Sequence, residues 1–395
     1  MNTSTKARKF SAGIVGLSLF GVSSIGAAQS SVTLYGIIDA AVQYNSNGGA
    51  GKVFSMGAGP LKGNRFGFLG SEDLGAGYKA VFRLESGFST TTGALGQGGA
   101  EFGRQAYVGI ASPYGTVTLG RQYDSVVDYV GVLKSGGDTA GAYSGHPADL
   151  DNTANNYRVN NAVKYTSPNY KGITFGGLFS LGGFAGDFRR NRVYSAGAGY
   201  KSGPVQLGLA YLNAQDPNFS FYGNNPSSST TNSNMAGSPV FSGYASAKTL
   251  QVIAAAGAYT IDNWTLGLVY TNTQYQSLGF EPTLADPGYR GKAVFNTIEI
   301  NLKSFVTPSL LFGTSYHYTH GSEVTATTGG AGYHQVSAGV DYFLSKRTDI
   351  YAVQLWQHAT GRDSTGNPAV ATIFGVSPSS SNNQFLSVVG IRHAF

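Results

Sequence analysis

Period-two alternation of side chains recurs from Val32 to Phe395, interrupted only by turn-forming stretches. Such a repeat specifies strands, because successive side chains on a strand point to opposite faces. In VTLYGIIDAAVQY one face carries Val32, Leu34, Ile38, Ala40, Val42 and Tyr44, while the other carries Thr33, Tyr35, Ile37, Asp39 and Gln43. The same split returns where Trp264, Leu266, Leu268 and Tyr270 oppose Thr265, Gly267 and Thr271. It returns again where Val336, Ala338, Val340 and Tyr342 oppose Gln335, Ser337 and Asp341. The stretch AVFRLESGF, residues 80–88, sharpens the choice: Phe82, Leu84 and Phe88 share one face, Arg83 and Glu85 the other. A soluble sheet buries the aromatics in its core and wets the charges, whereas a transmembrane barrel puts the aromatics in lipid and the charges along a channel.

Sixteen runs begin near residues 32, 64, 77, 102, 115, 158, 171, 192, 204, 248, 263, 291, 308, 332, 348 and 383, and most hold 8 to 13 residues. Their connections alternate between short turns, such as SPYG, SPNYKG, KSGP and LSKRT, and longer polar stretches rich in Gly, Ser and Asn. A strand of about eleven residues, tilted near 45°, rises roughly 26 Å, close to the ~25 Å apolar band of an outer-membrane barrel. An even number of strands in a short/long rhythm is what a meander across a membrane produces. Tyr and Phe sit at many run ends, as at Tyr44, Phe88, Tyr200, Tyr211, Tyr270 and Tyr318. Rings there suit the headgroup level, although ordinary strand preference for aromatics accounts for individual cases. The expected fold is all-β, a 16-stranded antiparallel transmembrane β-barrel, with no internal repeat beyond the hairpin and no domain boundary inside it.

The N-terminus is of another kind. Lys6, Arg8 and Lys9 precede the apolar GIVGLSLFGVSSIG and the small Ala27 and Ala28. That order reads as a secretory signal peptide over 1–28, leaving a barrel domain over 29–395; a signal-anchor helix is the alternative. No later stretch approaches the ~18 consecutive apolar residues of a spanning helix. There is no Cys, so disulfides and thiolate sites are excluded, and only 12% of residues are charged. The formal charge of +6 falls to +3 without the three signal cations, and no Lys/Arg run accompanies it. Nothing here suits nucleic acid.

Two connections are long, 124–157 and 215–247. The second contains NNPSSSTTNSN and reads as a solvated external loop. The first mixes Val126, Val127, Tyr129, Val130, Val132 and Leu133 with Asp124, Asp128, Asp138, Asp149 and Asp151. Apolar anchors with acids suit a loop that folds back into a wide barrel and narrows it; a flexible external loop is the alternative.

Face parity also sorts the charges. Arg83 and Glu85 point inward; Arg65 does so because Phe66 and Phe68 face lipid, and Arg158 and Lys164 because Val163 and Tyr165 do. Arg104 lies where the alternation is ambiguous. Arg on the lipid face near midplane costs about 2–4 kcal/mol, which favours the lumen for these groups. Facing an acidic loop, they would set a transverse field that tunes ion passage, or they would pin the loop, or both.

Catalysis is not supported. The six His residues (146, 317, 320, 334, 358, 393) are scattered, and His317 and His320, three apart, fall on opposite faces of a strand. No G-x-S-x-G nucleophile elbow occurs. We expect no enzyme activity, no cofactor and no metal.

The segments SSVTLYGIID, NRFGFLGSEDLGAGYKAVFRLESGF, FGRQAYVGIASPYGTVTLGRQYD, YRVNNAVKYTSP and the terminal GIRHAF resemble the general porins of Gram-negative bacteria, most closely those of β-proteobacteria. The resemblance covers about residues 30–395 and is densest over the first six strands. It implies a homotrimer in the outer membrane, surrounded by lipid and lipopolysaccharide, with a third loop folded into the lumen and passive diffusion of small hydrophilic solutes and ions. The family's constriction arginines match Arg65, Arg104 and Arg158, with Glu85 on the wall near them and Arg83 sharing their parity. The constriction loop would be 124–157; it lacks the PEFGG signature of enterobacterial porins, which leaves open whether Asp124, Asp128 or Asp138 faces the arginines. The final Phe395 resembles the C-terminal signal read by the barrel-assembly machinery, or merely closes a strand. The arginines make the expected channel anion-preferring; a substrate-specific channel for organic acids or oligosaccharides is the alternative.

Overall fold

The computed structural model describes residues 30–135, 139–219, 234–281 and 288–395. The signal peptide expected over 1–28 lies outside these residues. The described chain is a closed, antiparallel barrel of sixteen strands. In order these are β1 (Ser31–Asn45), β2 (Val53–Ala58 and Arg65–Gly75), β3 (Tyr78–Gly87), β4 (Gln105–Ser112), β5 (Gly115–Gln122) and β6 (Val159–Thr166). Then come β7 (Ile173–Ser180), β8 (Val193–Ser202), β9 (Val205–Gln215), β10 (Thr249–Ile261) and β11 (Trp264–Leu278). The last five are β12 (Gly291–Thr307), β13 (Leu310–Gly321), β14 (Gly332–Phe343), β15 (Thr348–Thr360) and β16 (Asn383–Ala394). Each strand pairs with its neighbours in sequence. The ring closes where β1 meets β16 in a register running from Ile37 opposite Ala394 to Asn45 opposite Leu386. Beyond that ladder Gly36 and Phe395 exchange backbone hydrogen bonds of 3.0 and 3.1 Å.

Side-chain exposure decides which solvent each face meets. On β1 the outward Leu34 and Val42 are 56% and 61% exposed, whereas the inward Asp39 is fully buried. On β12 the outward Ile298 and Ile300 are both 49% exposed around a fully buried Glu299. The pattern continues through Val108, Leu119, Leu209, Leu266, Val340, Ile350 and Val389 outside and Thr118, Thr271, Gln335 and Gln357 inside. An apolar exterior over a polar interior is the reverse of a soluble sheet.

The wall departs from the expected runs in two ways. The second strand is split, since residues 59–64 leave the wall between its halves, and the run expected near 64 is only its second half. Asp39 organises this excursion. Its carboxylate accepts from the Leu61 and Lys62 amides at 2.8 and 2.7 Å and from the Tyr351 hydroxyl at 2.5 Å. Strands also reach 17 residues in β12, longer than the runs expected, because its alternation continues past the apolar band into Lys292 and Thr307.

Short turns and long connections alternate as expected, and 124–157 belongs to the third long connection. In the connection after β9, residues 220–233, which hold most of NNPSSSTTNSN, lie outside the described residues. The part next to β10 corrects the reading of that loop as solvated. Met235, Val240, Phe241, Tyr244 and Ala247 are buried, and Tyr244 packs on Tyr275, Tyr289 and Phe295 with ring centroids 5.7 to 6.1 Å apart. A further long connection, 361–382, also buries Ala369, Ala371 and Ile373.

Candidate functional site

The site is built on the inner faces of β1, β2 and β3, on Arg104 at the end of the connection before β4, and on the connection between β5 and β6, which ends at Arg158. Glu85, inward on β3, is 3% exposed and accepts hydrogen bonds from three sides. Arg104 Nε donates to Oε1 at 2.7 Å, the Tyr123 hydroxyl donates to the same oxygen at 3.0 Å, and the Tyr35 hydroxyl donates to Oε2 at 2.7 Å. Arg104 Nη2 in turn donates to Tyr123 at 3.2 Å, and the Arg158 guanidinium lies 5.6 Å from the centre of the Tyr123 ring. Arg65, steadied by Nε donation to the Gly63 carbonyl at 3.1 Å, lies within electrostatic range of Arg104 and Glu85.

Arg65, Arg104 and Arg158 thus come together. With Lys62 and Lys134 they line a cavity of about 530 Å³, whose lining also includes Val127, Val132 and residues 153–156. None of the described residues that line it is acidic. Arg83 is on the inner wall but not in this lining; its guanidinium lies 5.6 Å from the centre of the Tyr35 ring. Sequence parity did not single out Lys62, Lys134, Tyr35 or Tyr123. Lys62 rides on the split in β2, and Lys134 directly follows the apolar VGVL, so neither has a strand face to read.

Neither Asp124 nor Asp128, the two candidate loop acids among the described residues, pairs with the arginines. Asp124 is fully buried and caps the short helix α1 (Ser125–Tyr129), its Oδ1 accepting from the Val126 and Val127 amides at 2.7 and 3.3 Å. Asn152 Nδ2 donates to its Oδ2 at 2.6 Å. Burial pushes the Asp124 carboxyl up to about 6 against these donors. Asp128 pairs with the inward Lys164 at 2.5 Å. Asp138 lies outside the described residues.

Connections run from this segment to strands all around the ring, always to the face opposite the apolar band. Ser125 bonds Ser195 on β8 at 3.0 Å, and the Tyr143 hydroxyl donates to Gln43 on β1 at 2.8 Å. Gln335 on β14 donates to the Tyr143 carbonyl at 3.2 Å, and Thr271 on β11 donates to Asp151 at 2.6 Å. The Ser135 amide donates to Glu299 on β12 at 2.9 Å. Wall glycines make room: a side chain at Gly208 would meet the Tyr129 carbonyl, and one at Gly197 the Tyr129 ring.

The histidines are less scattered than the sequence suggests. His146 of the loop and His317 of β13 stack edge to face with centroids 5.0 Å apart, both buried. His146 Nδ1 lies 2.5 Å from Asp151 Oδ2, and its Nε2 lies 3.3 Å from Glu299 Oε2. Burial disfavours charge on His146, but the two carboxylates outweigh it and raise the imidazole to about 9. His146 stands 153 residues from Glu299 and 171 from His317, which hides the meeting of loop and wall from any spacing rule.

Known proteins share both sequence and fold with this chain. A sequence model of the Gram-negative porin family matches residues 15–358. An outer membrane porin protein of Bordetella pertussis is 31% identical over 376 residues, covering 85% of this chain and 90% of the relative. Among solved structures, the anion-selective porin from Comamonas acidovorans superposes with a TM-score of 0.71 at 21% identity, covering 93% of this chain and all of that one. The trimer form of the Vibrio cholerae outer membrane protein OmpT gives a TM-score of 0.64 at 15% identity, covering 93% and 99%. A closed barrel, greasy outside and wet inside, carrying this family's sequence over most of its length, belongs to the Gram-negative porins and is an outer-membrane channel protein.

Proposed function

We propose that this porin is a homotrimeric, non-specific diffusion channel that passes small hydrophilic solutes and ions and prefers anions. The observation that carries the reading is the cavity lined by Arg65, Arg104, Arg158, Lys62 and Lys134 with no acid among its described lining residues. In a narrow aqueous passage walled by low-dielectric protein, fixed charges of one sign raise the local concentration of the opposite ion and set a barrier to the same sign. Glu85 offsets only part of this charge, because it stands behind Arg104 rather than in the lining. Segment 124–157 is the constriction loop on this reading, and its acids hold the loop to the wall while the arginines meet the solute. The trimer is supported by the trimer form of the Vibrio cholerae protein of like fold, and anion preference by the selectivity of the Comamonas porin. Outer-membrane lipid and lipopolysaccharide would meet the exposed apolar band, after removal of residues 1–28. Phe395 would be read by the barrel-assembly machinery.

Reversal potentials across a planar bilayer with a salt gradient test this reading. The expected result is anion selectivity, shifted toward cations in Arg104→Ala as Glu85 is uncovered. Cation preference in the unaltered protein would overturn it, and an unchanged selectivity in the variant would remove Arg104 from the passage. The same basic lining would suit a channel specific for organic acids; conductance that saturates and is blocked by millimolar organic acid would favour that second reading.

A further inference from the structure

We propose that His146, Glu299 and His317 form a zinc site that staples the third loop to the barrel wall. The three side chains are at most 1% exposed, and one ligand atom from each lies within 4.8 Å of the others. His317 Nε2 lacks any hydrogen-bond partner, and His146 Nε2 and Glu299 Oε2 face each other at 3.3 Å without forming a well-aligned hydrogen bond. Buried polar atoms without a well-formed hydrogen bond are costly, since they forfeit hydration without full replacement, and here three of them lie within 4.8 Å of one another. A proton on His146 Nε2 would serve only His146 and Glu299. It leaves His317 unpaired, whereas a metal ion satisfies all three.

The surrounding donors and acceptors fit the same occupant. His146 directs its other ring nitrogen to Asp151 at 2.5 Å, and Asp151 is itself held by the Thr271 and Thr153 hydroxyls at 2.6 and 2.8 Å. A carboxylate behind a ligating histidine fixes its tautomer and orientation, as metal sites require. Glu299 has its Oε1 occupied by the Ser135 amide at 2.9 Å and Asn301 Nδ2 at 2.8 Å, which leaves Oε2 to face the histidines. Tetrahedral zinc at ~2.0–2.1 Å from N and O ligands spaces those ligands about 3.3 Å apart. His146 Nε2 and Glu299 Oε2 already stand at 3.3 Å. Two imidazoles and one carboxylate suit Zn²⁺, with the fourth position left to water. Lys134 opposes the ion from within electrostatic range of Glu299 and His317, but the Glu299 and Asp151 carboxylates outnumber it. A cavity of about 190 Å³ is lined by Ser135 and Asn301, the two residues that bond Glu299 Oε1.

The ligands come from both sides of one junction: His146 from the loop, Glu299 and His317 from β12 and β13. The metal would therefore act as a structural clamp on the loop that narrows the bore. The test uses the full mature chain without an affinity tag, folded in detergent, stripped with chelator, and titrated with Zn²⁺ at pH 8. We expect one equivalent retained per chain after desalting. His317→Gln should weaken binding at least 100-fold and Asp151→Asn, a positioning change, about 10- to 100-fold. His320→Gln, on the exposed face of the same strand, should leave it unchanged. Zn²⁺ should also raise the heat-unfolding temperature of the unaltered protein and not of His317→Gln. Equal zinc retention by the unaltered protein and His317→Gln would overturn the proposal. If that variant fails to fold, Co²⁺ in the unaltered protein decides: intense visible bands of a four-coordinate ion support the site, and the weak bands of the hexaaqua ion sink it.

Discussion

Glu85 is the residue on which the basic cluster rests. It receives Arg104, Tyr35 and Tyr123 at once, so it fixes the guanidinium while lending the passage a buried negative charge. Glu85→Gln keeps the shape and one acceptor oxygen but removes the charge. On the proposed reading Arg104 then acts at full strength on passing ions, and the reversal potential should move toward anions. The amide can no longer accept from three donors, so the variant should unfold more readily by about 1–3 kcal/mol, read as a lower denaturant midpoint in detergent. An unchanged reversal potential would mean that Glu85 does not compensate Arg104 during permeation. At this scale the sequence was legible where a side chain sat on a strand. Phe66 and Phe68 placed Arg65 inside, and Val163 placed Lys164. Lys62, Lys134 and the pairing of His146 with His317 were not legible, because each depends on where an irregular segment comes to rest.

Among the elements, the third long connection depends on glycines in the wall it touches. The main chain of Tyr129 passes so close to Gly208, and its ring so close to Gly197, that any side chain at either position displaces α1. Gly197→Val should therefore overpack the contact at a cost of about 1–3 kcal/mol. It should also push α1 toward the bore, seen as reduced single-channel conductance and faster proteolysis of segment 124–157. Gly237→Ala, where an added Cβ meets nothing within 4 Å, is the control and should change neither. Conductance and proteolysis unchanged in Gly197→Val would show that the helix is not seated by those glycines. In a chain with 57 glycines among 395 residues, this contact gives glycine a use besides turns. Strand number and facing could be read from the period-two pattern because lipid outside and water inside demand it of every strand. The split in β2 could not, since Asp39, which holds it, acts through main-chain amides that leave no pattern. The packing of Tyr244 against Tyr275 and Phe295 was equally hidden, because a Ser- and Asn-rich neighbourhood masks a few aromatic anchors.

For the whole molecule, closure is the step that makes the inversion of polarity possible, since an open edge in lipid would leave a row of unpaired backbone groups. The last residue takes part in that closure twice. Its backbone pairs with Gly36, and its ring lies over the same glycine, where a Cβ would collide with it. These contacts are made by the finished barrel, whereas the proposed recognition by an assembly machinery would act on a chain that has not yet closed. Phe395→Ala separates the two, because it keeps both backbone hydrogen bonds and removes only the ring. If the ring is a targeting signal, the purified variant refolds in detergent with an unfolding temperature within a few degrees of the parent, yet accumulates in the outer membrane several-fold less. If the ring only seals the seam, the ordering reverses: the refolded barrel is markedly less stable, and the amount in the membrane falls no further than that instability explains. Measuring both quantities on one variant, heat unfolding in detergent and folded protein per cell, distinguishes a signal from a latch.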